Sequence, residues 1–372
     1  MPIFLNRLDF FKVTAAEIAK IYLEDQRIRQ EFGCCFLAYW CDQKRKTTFC
    51  LIDAPNLESV KEMHCHIHNS YPYQIIQIEE DLIETFLNRV ESGKSPIRKY
   101  AHQSLNFQKP MFCAVMVMKL YNSQPYSTKD YIGRKKSFED FKICSQKLVK
   151  RNRGIMIKSA FDGYIYSFGT ISQSIKSALQ IQKELRVLKK VKGEKTITLS
   201  IGINGGSPMN EHCKPFEETT NLARRLCCIA GRNQIVVSSR IKEQFQPEDF
   251  GTLIKNSNLK SLTYRDEKFL TRLMEIIEPN YKDDLKIGDL CKIIGESRSQ
   301  LYRKILDVTN LPPIELINEF RLKKAIELMN MQNGHNISQI AFEAGFNSLS
   351  YFSRRFKKRF GHLPSAYMNR SN

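Results

Sequence analysis

The chain has 372 residues, 42% hydrophobic and 26% charged, the composition of a globular protein of two or three domains and not of a disordered or fibrous one. Its formal charge of +19 is unevenly spread: residues 1–94 hold 11 Lys and Arg against 14 Asp and Glu, residues 281–372 hold 15 against 9, and the middle carries most of the excess. That pattern points to a polyanionic partner, nucleic acid first, and the want of any long apolar run excludes a membrane span.

The opening MPIFLNRLDFF sets acid and base too early for a secretory signal. Eleven scattered cysteines without a CxxC are expected as reduced, mostly buried thiols in a cytoplasmic protein. PIFLNRLDF reads as a strand, and TAAEIAKIYLEDQRIRQEFG as a helix capped by Thr14 and stopped by Gly33. CCFLAYW and TTFCLIDA are β-rich runs around the turn DQKRK; NLESVKEMHCHIHN has helical period, and YQIIQIEE closes as a strand. The order βαββαβ predicts a ferredoxin-like α+β domain over 1–81, followed by a helical linker over 82–108. MHCHIH crowds three histidines onto the second helix. His64 and His68, at i and i+4, share a face that can chelate a transition metal such as nickel or zinc, with Cys65 and Cys50 as soft supplements. Solvated surface histidines would give the same pattern.

A second α+β domain is expected over 109–246. MFCAVMVMKL is a buried strand, FEDFKICSQKLVKRNR a helix, and GIMIKSAFDGYIYSF a hairpin turning at Asp162-Gly163. ISQSIKSALQIQKELRVLKK is a long amphipathic helix and TITLSIGINGG a strand; TTNLARRLCCIAG is a helix closed by Gly231, and NQIVVSS a strand. Residues 247–280 read as a loop-like linker.

The last segment, 281–372, reads as all helical, with one helical hairpin occurring twice. In LKIGDLCKIIGESRSQLYRKIL, Leu285, Leu290, Ile293, Ile294, Leu301 and Ile305 fall at helical spacing, Gly295 permits the turn and Ser297 caps the next helix. In NISQIAFEAGFNSLSYFSRRFKKRFG, Ile337, Ile340, Ala341 and Ala344 form one apolar stripe, Gly345 turns the chain, and Phe352, Phe356 and Phe360 form the next. A helix that reads the major groove needs one face in the core and the other polar or basic. Ser299 and Arg303 share such a face in the first hairpin, Ser350 and Arg354 in the second, each 51 residues after its counterpart. Ordinary αα-hairpins with solvated charge would not need that duplicated spacing.

ISQIAFEAGFNSLSYFSRRFKKRFGHLPSAY resembles the signature of the AraC/XylS family of bacterial transcription regulators. The resemblance implies two helix-turn-helix units on one connecting helix, bound to adjacent major-groove segments of double-stranded DNA. By position it puts Ser299, Arg303, Ser350 and Arg354 at base-facing places. Leu349 matches such a place too, although by period it joins the Phe352/Phe356 stripe. Arg298, Tyr302, Arg355 and Lys358 fall to phosphate contacts, which position a protein without reading bases, and Phe346, Phe352 and Phe356 fall to the core.

IKSAFDGYIYSFG, LSIGINGG and TTNLARRLCCIAGRNQIVVSS resemble the class III nucleotidyl cyclase homology domain over 112–245. In that family two carboxylates hold two metal ions, an Asn and an Arg four residues apart stabilise the transition state, and a Lys and an Asp select the purine. Asp162 matches one metal carboxylate, Asn221 and Arg225 the Asn/Arg pair, and Lys158 the purine-reading Lys. No Asp or Glu occurs in 111–128, and Met118 stands nearest the place of the other carboxylate. Lys214 stands where the purine-selecting Asp belongs, and Glu217 where the family has glycine. Mg²⁺ and Mn²⁺ prefer oxygen, so a thioether cannot replace the missing ligand. The resemblance implies a degenerate cyclase-like domain, not an enzyme, that binds a nucleotide or only pairs.

EFGCCFLAYWCD and FCLIDAPNLESVKEMHCHIH resemble small ferredoxin-like proteins, some of them nickel-binding, over 1–80. His64 and His68 match the HxxxH of that family; where it has further residues on the first helix, only Tyr22 and Asp25 stand nearby. These readings predict a cytoplasmic, homodimeric transcription regulator, its tail on double-stranded DNA and its upstream domains sensing and pairing. The alternative is a nucleotidyl cyclase with the tail as a regulatory appendage.

Overall fold

The computed structural model describes residues 2–9, 29–42, 47–68, 74–78, 105–107, 112–122, 131–160, 163–192, 197–206, 217–244, 258–283, 285–330, 336–361 and 363–368. The expectations for Thr14, Tyr22, Asp25, Asp162 and Lys214, and for the side chain of His68, lie outside the described residues. The chain divides into two compact units, 1–113 with 206–219 and 114–205 with 220–372.

In the first unit β1 (Ile3–Asp9), α1 (Arg29–Phe32), β2 (Cys35–Asp42), β3 (Thr47–Asp53), α2 (Leu57–His68) and β4 (Gln74–Ile78) follow the expected order. β3 pairs antiparallel with β1 and β2, and β1 with β4, so the strands lie β4-β1-β3-β2, as two split βαβ halves require. β5 (Leu105–Phe107) adds parallel to β2. This strand corrects the expected helical linker over 82–108, the rest of which lies outside the described residues; Leu105 and Phe107 alternate as strand residues do, over too short a run to stand out among polar neighbours. α2 lays Val60 and Met63 on Phe4, Leu8, Cys50 and Ile52. His64 completes the same i, i+3, i+4 stripe and is fully buried.

The second unit is built on a six-stranded sheet in the order β11-β10-β9-β6-β8-β7. Its strands are β6 (Cys113–Asn122), β7 (Ile155–Ala160), β8 (Gly163–Phe168), β9 (Ile197–Gly206), β10 (Gln234–Val237) and β11 (Leu259–Ser261). α3 (Tyr131–Arg151) and α4 (Ile171–Lys192) pack on each other. α5 (Glu217–Ile229) lies so close to β9 that a Cβ at Gly202 would strike the backbone of Ala223 and Cys227. α6 (Ser239–Gln244) follows β10.

The loop-like reading of 247–280 is corrected. β11 pairs parallel with β10, and Tyr264–Asn280 form α7, a helix of 17 residues. Thr263 and Asp266 cap its start reciprocally, and Phe269, Leu270, Leu273, Met274, Ile276 and Ile277 are buried at helical spacing. Both signals are present in the sequence; the interspersed charges and Pro279 in the last turn obscure them. The apolar face of α7 joins Leu226, Ile229, Ala230 and Val236 to Leu290, Ile294, Leu301, Ile305, Val308, Leu316, Ile317 and Phe320 in one core. The middle and C-terminal segments are packed together, not strung on a loop.

The tail consists of α8 (Ile287–Ile294), α9 (Arg298–Thr309), α10 (Pro313–Asn330), α11 (Ile337–Glu343), α12 (Leu349–Phe360) and α13 (Pro364–Met368). The turn glycines Gly295 and Gly345 have φ of +79° and +89°, and a Cβ on Gly345 would also meet the carbonyl of Tyr281. Ile293, expected in the first apolar stripe, is 51% exposed: α8 has eight residues, and Leu290 and Ile294 already carry its inward face. The second hairpin has a core of its own, in which Phe346, Phe352, Phe356 and Phe360 meet Leu322, Ala325, Ile326 and Met329 of α10.

Candidate nucleic-acid interface

α9 and α12 are built alike. Each has 12 residues, a serine N-cap (Ser297, Ser348) and a left-handed residue at its end, Asn310 at φ +56° and Gly361 at φ +83°. Leu301 and Ile305 on α9, and Phe352 and Phe356 on α12, are fully buried, each 51 residues after its counterpart. Those anchors fix the rotation of both helices. Ser299 and Arg303 of α9, and Ser350 and Arg354 of α12, are consequently exposed. Arg298, Tyr302 and Lys358 are exposed as well, and Leu349, at 39% exposure, does not join the phenylalanine stripe.

Beside the tail, a cleft of about 530 Å³ brings together three of the residues matched to a nucleotide site, Lys158 on β7 and Asn221 and Arg225 on α5. β6 presents Val117 and Lys119 to it, whereas Met118 is fully buried by strand alternation, which corrects its expected place at the site. Arg225 is held by Glu278 of α7 through Nε at 3.1 Å and Nη2 at 2.8 Å. The carboxylates lining the cleft among the described residues are Glu278 and Glu327, paired with Arg225 and Lys324 respectively, so these residues do not offer a pair of open carboxylates to metal ions. In the first unit, Asn6 donates through Nδ2 to Nε2 of the buried His64. Among the described residues no three His, Cys, Asp or Glu come together to hold a metal ion; the side chain of His68, the partner of His64 in the expected pair, lies outside them.

Residues 290–370 match the family described as a helix-turn-helix domain. The C-terminal residues are a helix-turn-helix domain. Residues 4–78 match the family described as nickel responsive protein SCO4226-like. The chain is 35% identical over 150 residues to Histidine kinase P4 of Formosa agariphila, with 35% of this chain and 11% of that protein covered. It is 30% identical over 111 residues to the Msm operon regulatory protein of Streptococcus mutans, with 30% and 40% covered. Of solved structures, an adenylate/guanylate cyclase/hydrolase from Silicibacter pomeroyi is similar at 23% identity and a TM-score of 0.31, over 37% of this chain and 82% of that one. The chain thus spans from about a tenth to two fifths of the length of these curated relatives. No helix among the described residues is long and apolar enough to cross a membrane.

Within the helix-turn-helix domain α9 and α12 are held differently. On α12, Arg355 makes a two-pronged pair with Glu315 of α10, and Arg359 donates to Glu319 at 2.7 Å. Arg355 is therefore corrected from a phosphate contact to a strut between helices. Its hydrogen bonds hold the Glu315 carboxyl below the usual carboxylate range. Between the two rungs Asn318 donates to the Tyr351 hydroxyl at 2.9 Å, and the Arg354 guanidinium lies 5.4 Å from the Tyr351 ring centroid. That shelf orients Arg354. The sequence signal for the two rungs is the matching i, i+4 spacing of Glu315/Glu319 and Arg355/Arg359. On α9, Lys304 pairs with Glu296 at 2.5 Å and lies 4.5 Å from the Phe269 ring centroid. Lys260 of β11 donates to the carbonyls of Asp307 and Val308 at 3.1 and 3.0 Å, closing the end of α9.

Proposed function

We propose that the chain is a sequence-specific transcription regulator that acts in the cytoplasm as a homodimer, reading double-stranded DNA with α9 and α12 and sensing a ligand through its upstream residues. The observation that carries this reading is the pair of equivalent exposed faces, Ser299/Arg303 and Ser350/Arg354, on two helices turned alike by their buried anchors. Arginine reads guanine through two parallel hydrogen bonds, and a serine hydroxyl can donate to or accept from a base edge, so each face suits a short stretch of major groove. Arg298, Tyr302 and Lys358 serve the phosphates, which makes binding dependent on salt. Two tails on a repeated site would bind with raised avidity. Electrophoretic mobility shift with duplexes selected by the wild-type protein tests the reading. Arg303→Ala and Arg354→Ala should each weaken binding, and unchanged affinity in both overturns it.

The cleft beside the tail is proposed to bind a nucleotide through Lys158, Asp162, Asn221 and Arg225 without turning it over. Supporting this, the first strand carries no carboxylate and presents Lys119 instead. Incubation with ATP or GTP and Mn²⁺ is expected to yield no cyclic nucleotide. The match of residues 4–78 favours a second input, nickel, with His64 and His68 as the candidate pair. Calorimetry with nickel on the wild type and on His64→Ala/His68→Ala tests it, identical isotherms removing the metal reading.

A further inference from the structure

The cleft is not lined by the sheet layer alone. Among the described residues, six cationic side chains from four elements reach it: Lys119 of β6, Lys158 of β7, Arg224 and Arg225 of α5, and Lys323 and Lys324 of α10. The opposing charges among the described residues are Glu278 of α7 and Glu327 of α10. A concentration of positive charge in a concave, partly enclosed space raises the local potential and favours a multiply charged anion. The volume of about 530 Å³ is that of a site for a small molecule, not for a macromolecular chain.

Two features give the site a consequence elsewhere. Arg225 has its fork filled by Glu278, with the side chains 12% and 36% exposed. A phosphate group offers the same two-pronged acceptor geometry as a carboxylate and carries more charge. It can therefore replace Glu278 without leaving Arg225 unpaired. Glu278 belongs to the helix whose apolar face is shared with α9, and Lys323 and Lys324 belong to α10, which joins α9 to α11 and α12.

We propose that the cleft is a regulatory site for a small phosphorylated anion, whose phosphate displaces Glu278 from Arg225 and draws Lys323 and Lys324 toward it, so that α7 and α10 carry its arrival to the two reading helices. The proposal rests on the reading above that the upstream residues sense a ligand. A ligand acts here by its unequal affinity for two placements of these helices.

Calorimetric titration of the full-length protein with ATP, with GTP and with sodium tripolyphosphate tests it, together with hydrogen exchange of α7 and α10 in the presence of each. At least one of the three should bind and alter exchange in both helices. Glu278→Gln removes the competing charge alone and should tighten binding roughly two- to fivefold, the effect of one partly exposed ion pair. Lys158→Ala, at an exposed site, should weaken it severalfold. Equal binding of tripolyphosphate and the nucleotides assigns recognition to the phosphates; preference for a nucleotide adds a contact to the base or sugar. Absence of binding to both wild type and Glu278→Gln, equal affinity of the two proteins, or unchanged exchange in α10 overturns the proposal. Because the titration contains no DNA, its failure leaves the DNA-reading result standing, and failure of the Arg303 and Arg354 variants leaves the titration standing.

Discussion

The two helices proposed to read DNA, α9 and α12, present the same face and are supported by opposite means. α9 is set into a core shared with the sheet layer: Leu301 and Ile305 touch the cluster that also contains Val236, Leu270 and Leu273, and Lys260 of β11 closes its end. α12 rests on a separate cluster within the tail and is strutted to α10 by Arg355–Glu315 and Arg359–Glu319. Equivalent faces can thus be produced by apolar burial against a neighbouring layer or by local burial with charged rungs. The difference matters for regulation. A change in the sheet layer reaches α9 through the core they share, whereas the buried anchors of α12 lie in a separate cluster with α10.

Truncation of the two cores should separate these supports most sharply. Leu301→Ala is expected to cost about 2–5 kcal/mol, and hydrogen exchange should show β10, α7 and α9 losing protection together. Phe356→Ala should cost about 3–5 kcal/mol, with the loss confined to the C-terminal half of α10 and to 336–368. Matching exchange profiles for the two variants would show one undivided core.

The next largest effect concerns recognition. Arg354→Ala should lower affinity for a selected duplex by about 1–3 kcal/mol, and Arg303→Ala by a similar amount if both are bidentate to guanine. Tyr351→Phe takes the acceptor from Asn318 and loosens the shelf under Arg354. It should reproduce part of the Arg354 loss, while α9 has no such dependence. Fluorescence anisotropy on mutated half-sites would assign each loss to its own base pairs.

Lys260→Met leaves the last carbonyls of α9 without this donor and should cost about 1 kcal/mol in thermal unfolding, with little change in protection of α12. Burial pushes the Lys260 ammonium pKa down, so this side chain should lose its charge before ordinary lysines as the pH rises.

The smallest effect is a pH dependence of the α12 strut. The Glu315 carboxyl titrates below its ordinary value of 4.5, so its stabilising contribution is complete above that pH and is lost as the pH falls through the lower, folded value. Exchange at α12 should accelerate on acidification below pH 4.5, and Glu315→Gln should flatten that dependence. Equal acid sensitivity in both proteins would assign the loss to other carboxylates.

Local order was legible wherever period and capping coincide. The βαββ pattern of 3–68, the strand-and-helix alternation of 155–237 and the twin hairpins of the tail follow from residues near one another in the chain. The exposed pairs Ser299/Arg303 and Ser350/Arg354 were equally legible, because one turn of helix places them opposite the buried anchors. His64 shows the limit of motif reading: its i, i+4 relation to His68 suggests chelation, while its place with Val60 and Met63 on the apolar stripe puts it in the core. α7 shows the limit of composition, its capping box and buried stripe lying among charges.

The amino-acid order by itself determined the helices, their caps and the outward faces of the tail, since these depend on interactions three or four residues apart. Tertiary structure alone decided which charges meet. Arg225 with Glu278 and Arg355 with Glu315 are separated by 53 and 40 residues, and no local rule pairs them. It also decided that Lys323 and Lys324, read in sequence as part of a connecting helix, line the same cleft as Lys158 and Asn221. Burial of α7 between the sheet layer and the tail creates that meeting, because apolar area removed from water is gained only when distant segments close on one another.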